Sequence, residues 1–419
     1  MKEANNNIPQ HWEMKKLNDV VSVLGDGLHG TPKYADNGDY FFINGNNLCD
    51  GKIVIKENTK RVSKEEYEKY KKPLNQNTIL VSINGTLGNI AFYNNEKVIL
   101  GKSACYFNVL ETINKNYLRI LLSGLYFLNY ASNTATGSTI QNVSLKAMRE
   151  FELPLPPLPE QIAIVNKIEE LFSELENGKE QLLTAQRQLK IYRQSLLKAA
   201  FEGRLTNENV KDGELPDGWK WVKNQDILKY VTSGSRDWKK YYSNEGSRFV
   251  RTQDINSNKL YIEKTAFVSL PEKVEGKRSL IEQGDILMTI TGANVGKVAV
   301  VDFPIENAYV SQSVALLKYH DNKNTKFLWY FFQAPGFGKT QIEKMVYGVG
   351  RPVLSLENMR DVNVIDCSLK EQQAIVEILE SKLTVCDKLE ETISHSLEQT
   401  ETLRQSILKK AFEGKLYVD

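Results

Sequence analysis

Two stretches of the chain carry an apolar row that returns every seven residues. In the first, Ile168, Leu175, Leu182, Leu189 and Leu196 keep the period, with Val165 and Phe172 as a companion row. In the second, Leu379, Cys386, Ile393, Thr400 and Ile407 keep it, with Val376 and Leu383 alongside. A sustained seven-residue spacing draws one narrow apolar stripe along a helix, and such a stripe needs a partner. The boundaries agree. Pro159 suits a first helical turn, and Ser368-x-x-Glu371 has the spacing of a capping box. Gly203 and Gly414 stand where a helix end favours a left-handed residue. We therefore expect two long helices whose stripes form one antiparallel coiled-coil seam. The alternative is two separate amphipathic helices, each lying on its own domain. From Ile168 to Leu196 the seam spans roughly 40 Å at 1.5 Å per residue. Asn177-Gly178 interrupts the first stretch, where glycine costs about 1 kcal/mol relative to alanine, and marks a place for a kink.

The rest of the pattern is shorter in period. NTILVSINGTLGNIAFYN (77–94) and GDILMTITGANVGKVAVVD (284–302) are β-branched and apolar runs broken at glycine, which reads as strand–turn–strand. FFINGNNL and RFVRTQDI occupy matching places. NYLRILLSGLYFLNYAS and TKFLWYFFQAPGFGKTQIEKM read as helices rich in apolar and aromatic residues.

These matches are parts of one duplication. RQSLLKAAFEGRL (193–205) returns as RQSILKKAFEGKL (404–416), and Glu160-Gln161 with Ala163-Ile164-Val165 returns as Glu371-Gln372 with Ala374-Ile375-Val376. IPQHW (8–12) faces LPDGW (215–219). The chain reads as two copies of a globular part followed by a helix: 1–155 then 156–205, and 206–366 then 367–419. Two copies are too few for a solenoid. The expected fold is α+β, with two pseudo-twofold-related mixed α/β domains separated by an antiparallel two-helix coiled coil.

Composition narrows the chemistry. The 419 residues are 41% hydrophobic and 25% charged, enough for ordinary cores, and the formal charge of +2 means that any basic surface is local. Four cysteines without C-x-x-C spacing and four histidines argue against a zinc site or disulfide framework and suit a reducing cytoplasm. The polar start MKEANNNIPQHW has no apolar core of a signal peptide, and no run approaches a membrane span. GANVGK (292–297) and GFGKT (336–340) both fail P-loop spacing. There is no G-x-S-x-G elbow, H-E-x-x-H, kinase set, or Asn/Asp-Pro-Pro-Tyr tetrapeptide of amino-methylating DNA enzymes. We expect no catalytic residues, no metal site and no bound cofactor.

What remains is polar, basic and aromatic residues on loops. The first copy offers His29, Thr31, Lys33 and Tyr34 in GDGLHGTPKY, then Asn44, Asn46 and Asn47, then Ser138, Thr139 and Gln141 before the helix. The second offers Arg236, Lys239 and Lys240 beside Trp238, Tyr241 and Tyr242, then Arg251, Gln253 and Asp254, then Asn294 and Arg351. Lys and Arg meet phosphates, Arg reads guanine, and Asn and Gln read adenine edges. Any one such loop could equally be a solvated turn. The signal is that equivalent positions are polar in both copies while their identities differ.

The order LPLPPLPEQIAIVNKIE, RQSLLKAAFEGRL, LPDGWKWV, with SLKEQQAIVEILE and RQSILKKAFEGKL in the second copy, resembles the specificity subunit of type I restriction-modification systems. GDGLHGTPKY and GSTIQNVSLKAMREFELPLP share in the resemblance, which covers both halves. It implies two target recognition domains (1–155 and 206–366), each reading half of a bipartite, asymmetric double-stranded DNA site, and two spacer helices (156–205 and 367–419) that fix the unread gap. It further implies a non-catalytic cytoplasmic subunit that docks two modification subunits and, through them, the restriction subunits. S-adenosylmethionine, ATP and Mg would then sit on those partners. Outside the resemblance, a coiled-coil structural adaptor for protein partners fits the same pattern.

Overall fold

The computed structural model describes residues 8–416 apart from 138, 208, 212 and 272–275. The chain divides into two compact units. One takes in the chain up to Leu182 together with the stretch from His395 onward; the other runs from Leu183 to Ser394.

The first unit is built on a four-stranded antiparallel sheet in the order Val21–Asp26, Ala104–Val109, Thr78–Ser82, Ile90–Phe92. The second repeats it as Leu228–Ser233, Val314–Tyr319, Ile286–Thr289, Val298–Val300. The middle strands of each sheet are buried along their whole length, which is why their sequences lack the alternation of a half-wet strand. A smaller sheet is also duplicated. Tyr40–Ile43 pairs parallel with Val98–Leu100, as Ser247–Val250 does with Ala308–Val310. A third pairing joins the start of each copy to the strand before its long helix: Glu13–Lys16 with Glu152–Leu155, and Lys220–Lys223 with Asn363–Asp366. The apolar stretches expected as helices each form two. Lys115–Ser123 and Leu125–Thr134 are separated at Gly124, and Thr325–Gln333 and Gly338–Met345 flank a turn in which Gly336 takes φ +80°.

The first long helix runs Leu158–Phe201 and the second Leu369–Phe412. The first passes through Asn177-Gly178 without a break, and a Cβ on Gly178 would meet open space. Ser368 accepts a hydrogen bond from the Glu371 amide at 3.2 Å, so half of the capping box forms. The Glu371 carboxylate turns instead to Thr206 (2.6 Å) and Asn207 (3.2 Å). Gln161 and Gln372, both buried, fasten the two helix starts in the same way. Each accepts from the amide of a helix-capping asparagine, Asn114 or Asn324, and donates to a carbonyl just upstream, that of Pro156 or Cys367.

Inside each unit the two long helices run antiparallel. In the first, the Arg404 guanidinium lies 4.4 Å from the Phe172 ring. In the second, Arg193 reaches Asp387 at 2.6 Å and Glu390 at 3.1 Å. Every residue of the seven-residue rows faces inward to some degree. Ile168, Leu196, Leu379, Cys386 and Ile407 are buried; Leu175, Leu182, Leu189, Ile393 and Thr400 are half-buried.

The repeated helix ends do more than finish a seam. Ile407, Leu408, Ala411 and Phe412 enter the first unit's core, where Phe412 meets Tyr117 edge-on at 5.5 Å. Leu196, Ala200 and Phe201 enter the second unit's core, with Phe201 5.1 Å from Phe327 and 5.3 Å from Phe331. Each helix then stops at a left-handed glycine, Gly203 (φ +77°) or Gly414 (φ +68°). A Cβ at Gly203 would overlap the Pro216 ring, and one at Gly414 the Pro9 ring. The matched IPQHW and LPDGW segments are therefore the seats on which the matched helix ends rest.

One buried polar site differs between the copies. In the second unit Lys318 bonds Asp285 and Glu282, both at 2.7 Å, and Lys318 and Asp285 are buried. Burial opposes the charge on Lys318, and the bonds to Asp285 and Glu282 outweigh it, so its pKa is raised. At the corresponding place in the first unit, Thr78 donates to Asn108 at 2.6 Å and Asn108 donates to the Pro73 carbonyl at 2.8 Å, a neutral network.

Candidate nucleic-acid interface

In each unit the loops that carry the candidate residues gather around one short turn. In the first unit it is Gly101-Lys102-Ser103, between the strands Val98–Leu100 and Ala104–Val109. The Leu28 amide donates to Leu100 at 2.7 Å, the Gly101 amide to Ile43 at 2.8 Å, and the Ile83 amide to Ser103 at 3.0 Å. The Ser103 hydroxyl accepts from the Gly45 amide and donates to Asn44 Oδ1. Three loops, 27–34, 44–47 and 82–89, are thus fixed to one point. In the second unit Ser311-Gln312-Ser313 holds the same place. The Gly234 amide donates to Ser311 at 3.2 Å, the Ser311 amide to Val250 at 2.8 Å, and the Ile290 amide to Ser313 at 2.9 Å. Gly27 and Gly234 allow this approach, since a Cβ on either would fall on the backbone carbonyl of Leu100 or Val310.

The loop before each long helix joins the cluster by a matching bridge. Asn84 pairs with Asn142, and their side chains bond at 2.9 Å; Thr291 pairs with Val353, and the Gly292 amide donates to Pro352. The glycine turns inside the two strand–turn–strand motifs therefore sit beside 136–142 and 347–353.

Of the candidates in the first unit, His29, Thr31, Lys33, Tyr34, Asn46, Thr139 and Gln141 are exposed. Ser138 lies outside the described residues. His29 bonds Asp26 at 2.6 Å, and the Lys33 amide donates to the Glu66 carboxylate, which leaves the lysine head in solvent. Tyr34 is 47% exposed, with Lys60 5.7 Å from its ring. In the second unit Arg236, Lys239, Lys240, Gln253 and Arg351 are exposed. Trp238 is buried against Phe249 and Tyr309, so it anchors the loop that displays Lys239 and Lys240. Arg251 and Asn294 are half-buried, and Asn294 donates to the Thr252 carbonyl at 3.4 Å.

Two candidates face inward. Asn47 is 6% exposed; it accepts from the Asn44 amide and donates to Val54 and Thr59. Asp254 is 5% exposed and accepts from the Arg251 amide at 2.8 Å. Burial lifts the Asp254 carboxyl above its usual range, against the Arg251 amide and guanidinium, which favour its charged form. Both close a short 3-10 turn from inside. That geometry takes them off the surface and leaves Asn46 and Gln253 as the outward residues of the two turns.

The structure adds residues that sequence reasoning does not single out. Lys102 and Gln312 are exposed at the centre of the two clusters. Lys277 and Arg278 are exposed in a recess that they share with Ser235, beside the Arg236 loop. The available signal was a polar residue between apolar strands, which any tight turn also shows. Among the described residues no group of His, Cys, Asp and Glu is arranged to hold a metal, and no helix is long and apolar enough to cross a membrane.

A family model described as the type I restriction modification DNA specificity domain matches residues 9–185 and again 216–399. The type I restriction enzyme EcoBI specificity subunit of Escherichia coli is 28% identical over 357 residues, covering 81% of this chain and 73% of that protein. The MjaVIII specificity subunit of Methanocaldococcus jannaschii is 23% identical over 430 residues, covering 98% and 94%. The HsdS subunit from Thermoanaerobacter tengcongensis has a similar fold, with a TM-score of 0.66 at 20% identity over 97% of this chain and 98% of that one. A chain from a structure describing complex assembly and conformational transition of the type I R-M system gives 0.71 at 20% identity, over 97% and 99%.

Proposed function

Because the chain belongs to the type I restriction modification DNA specificity family, we propose that it is the sequence-reading subunit of a type I restriction-modification complex. Each unit reads one half of a bipartite, asymmetric duplex site. The two long helices set the unread gap and dock two modification subunits, and restriction subunits join through them. The chain supplies no catalytic step: S-adenosylmethionine, ATP and Mg2+ act on the partners, in the cytoplasm.

One observation carries this reading. The two loop clusters share a frame, in which the bond of Gly101 to Ile43 returns as that of Ser311 to Val250 and the bond of Ile83 to Ser103 as that of Ile290 to Ser313, yet the side chains that they expose differ. A common frame with different exposed residues suits two readers of different sequences, because phosphate contacts position a protein while base contacts specify the site. The exposed residues also suit the task. Arg236, Lys239, Lys240, Lys277 and Arg278 form a local basic surface on a chain of formal charge +2, and basic side chains that meet phosphates release counterions.

The purified assembly tests it. With its modification subunits, the chain should bind one bipartite duplex, and affinity should fall steeply as salt rises. Modification subunits that kept the same bipartite specificity without this chain would refute the reading. Salt-insensitive binding to protein alone would favour the structural adaptor.

A further inference from the structure

The turn at the centre of each cluster has an unusual position. It exchanges hydrogen bonds with other segments of the exposed face in each unit, which fixes its backbone. In the first unit it holds Ile43, Gly45 and Ile83; in the second it holds Gly234, Val250 and Ile290. The turn closes on itself in both copies, by the Ala104 amide to Gly101 and by the Val314 amide to Ser311, each at 3.0 Å. Gly101 has no Cβ, and the Asn44 side chain occupies the space where one would stand. Flanking residues therefore point inward: Gly101 and Ser311 are buried, and Ser103 and Ser313 are half-buried. Only the middle residue of each turn is exposed, Lys102 in one copy and Gln312 in the other. Among the described residues neither side chain is engaged in a hydrogen bond or ion pair. Each is an uncommitted polar group on a mount bonded to loops that carry other candidates, and its identity changes between the copies. A side chain that discriminates bases needs such a mount, because a misplacement of about 1 Å loses the bidentate geometry.

Given the DNA-reading function proposed above, we propose that Lys102 and Gln312 are specificity-determining residues. Lys102 takes the O6/N7 acceptor edge of a guanine in the half-site of the first unit. Gln312 takes the N6/N7 edge of an adenine in the half-site of the second. These are the pairings that the donor and acceptor groups of the two side chains allow in a major groove.

Reciprocal exchange tests the assignment. The full chain with its modification subunits is offered a randomised duplex library, and bound sequences are read for the parent, Lys102→Gln, Gln312→Lys and an Arg236→Ala/Lys239→Ala/Lys240→Ala control. Both side chains are exposed, and unchanged melting temperatures confirm that the variants fold. The expected result is a change at one position in each case. Lys102→Gln turns a guanine preference into adenine in one half-site, and Gln312→Lys does the reverse in the other, each by about tenfold. Parental preferences retained at every position, with affinity lost in the control, would overturn this assignment and leave the DNA-reading function standing. So would a uniform loss of affinity in Lys102→Gln with no change of preference, which marks a phosphate contact. A parent that enriches no sequence would overturn both.

Discussion

A polar side chain in a turn can bind its own backbone or face the solvent, and 44–47 and 251–254 do both. Asn47 and Asp254 close their turns from within, while Asn46 and Gln253, one residue earlier, point out. Composition alone does not separate these roles, because Asn and Asp serve turns and base edges equally well. Arg351 is a clearer case, exposed in a loop held by the Tyr347–Val353 bridge. Arg351→Ala should weaken binding by about 1–3 kcal/mol if the guanidinium reads a base. The loss should fall on the half-site of the second unit only, as measured by binding to duplexes altered in one half at a time. Gly414 tests the packing instead of the reading. Its left-handed backbone and the Pro9 ring leave no room for a methyl group. Gly414→Ala should cost more than about 1 kcal/mol for the conformation alone, and more with the clash, seen as a lower melting temperature.

At the scale of elements, the long helices and the duplicated strand–turn–strand motifs were legible. A seven-residue row states which positions are covered, and the same spacing in both copies leaves little freedom. What the row does not state is what covers them. Phe201 and Phe412 stand one residue off the rows, which continue at Ala200 and Ala411, and are buried among Phe327, Phe331 and Tyr117 of the globular parts. Gly178 is the opposite lesson: a poor helix former sits inside an unbroken helix because the flanking turns outweigh about 1 kcal/mol of propensity. The central turns carry no mark in the sequence, because GKS and SQS differ and owe their bonds to partners far along the chain. Buried polar elements also vary more than the frame around them. Lys318→Ala strands Asp285 without its partner and should destabilise the second unit by about 3 kcal/mol. The double variant Lys318→Asn/Asp285→Thr, which borrows the neutral pair of the first unit, should lose less in the same denaturant titration.

At the scale of the whole molecule, the prediction concerns length. One heptad removed from between Leu175 and Leu189, and another from between Cys386 and Thr400, spares the buried residues at both ends of each seam. Seven residues shorten a helix by about 10 Å, close to three base steps of about 3.4 Å. Mapping of methylated sites should then show both half-sites unchanged and a shorter gap between them. An altered half-site would count against the helices as spacers.

The seat formed by Pro9 and Trp12 has a consequence for how the chain is made. Domains commonly fold in order as they leave the ribosome. Here the first unit cannot close its core until Ile407, Ala411 and Phe412 have been synthesised. Nearly the whole message must be translated before the earliest-made part of the protein is complete. A chain that stops short of residue 400 lacks Ile407, Leu408, Ala411 and Phe412 and leaves the part of the first unit's core that they fill uncovered.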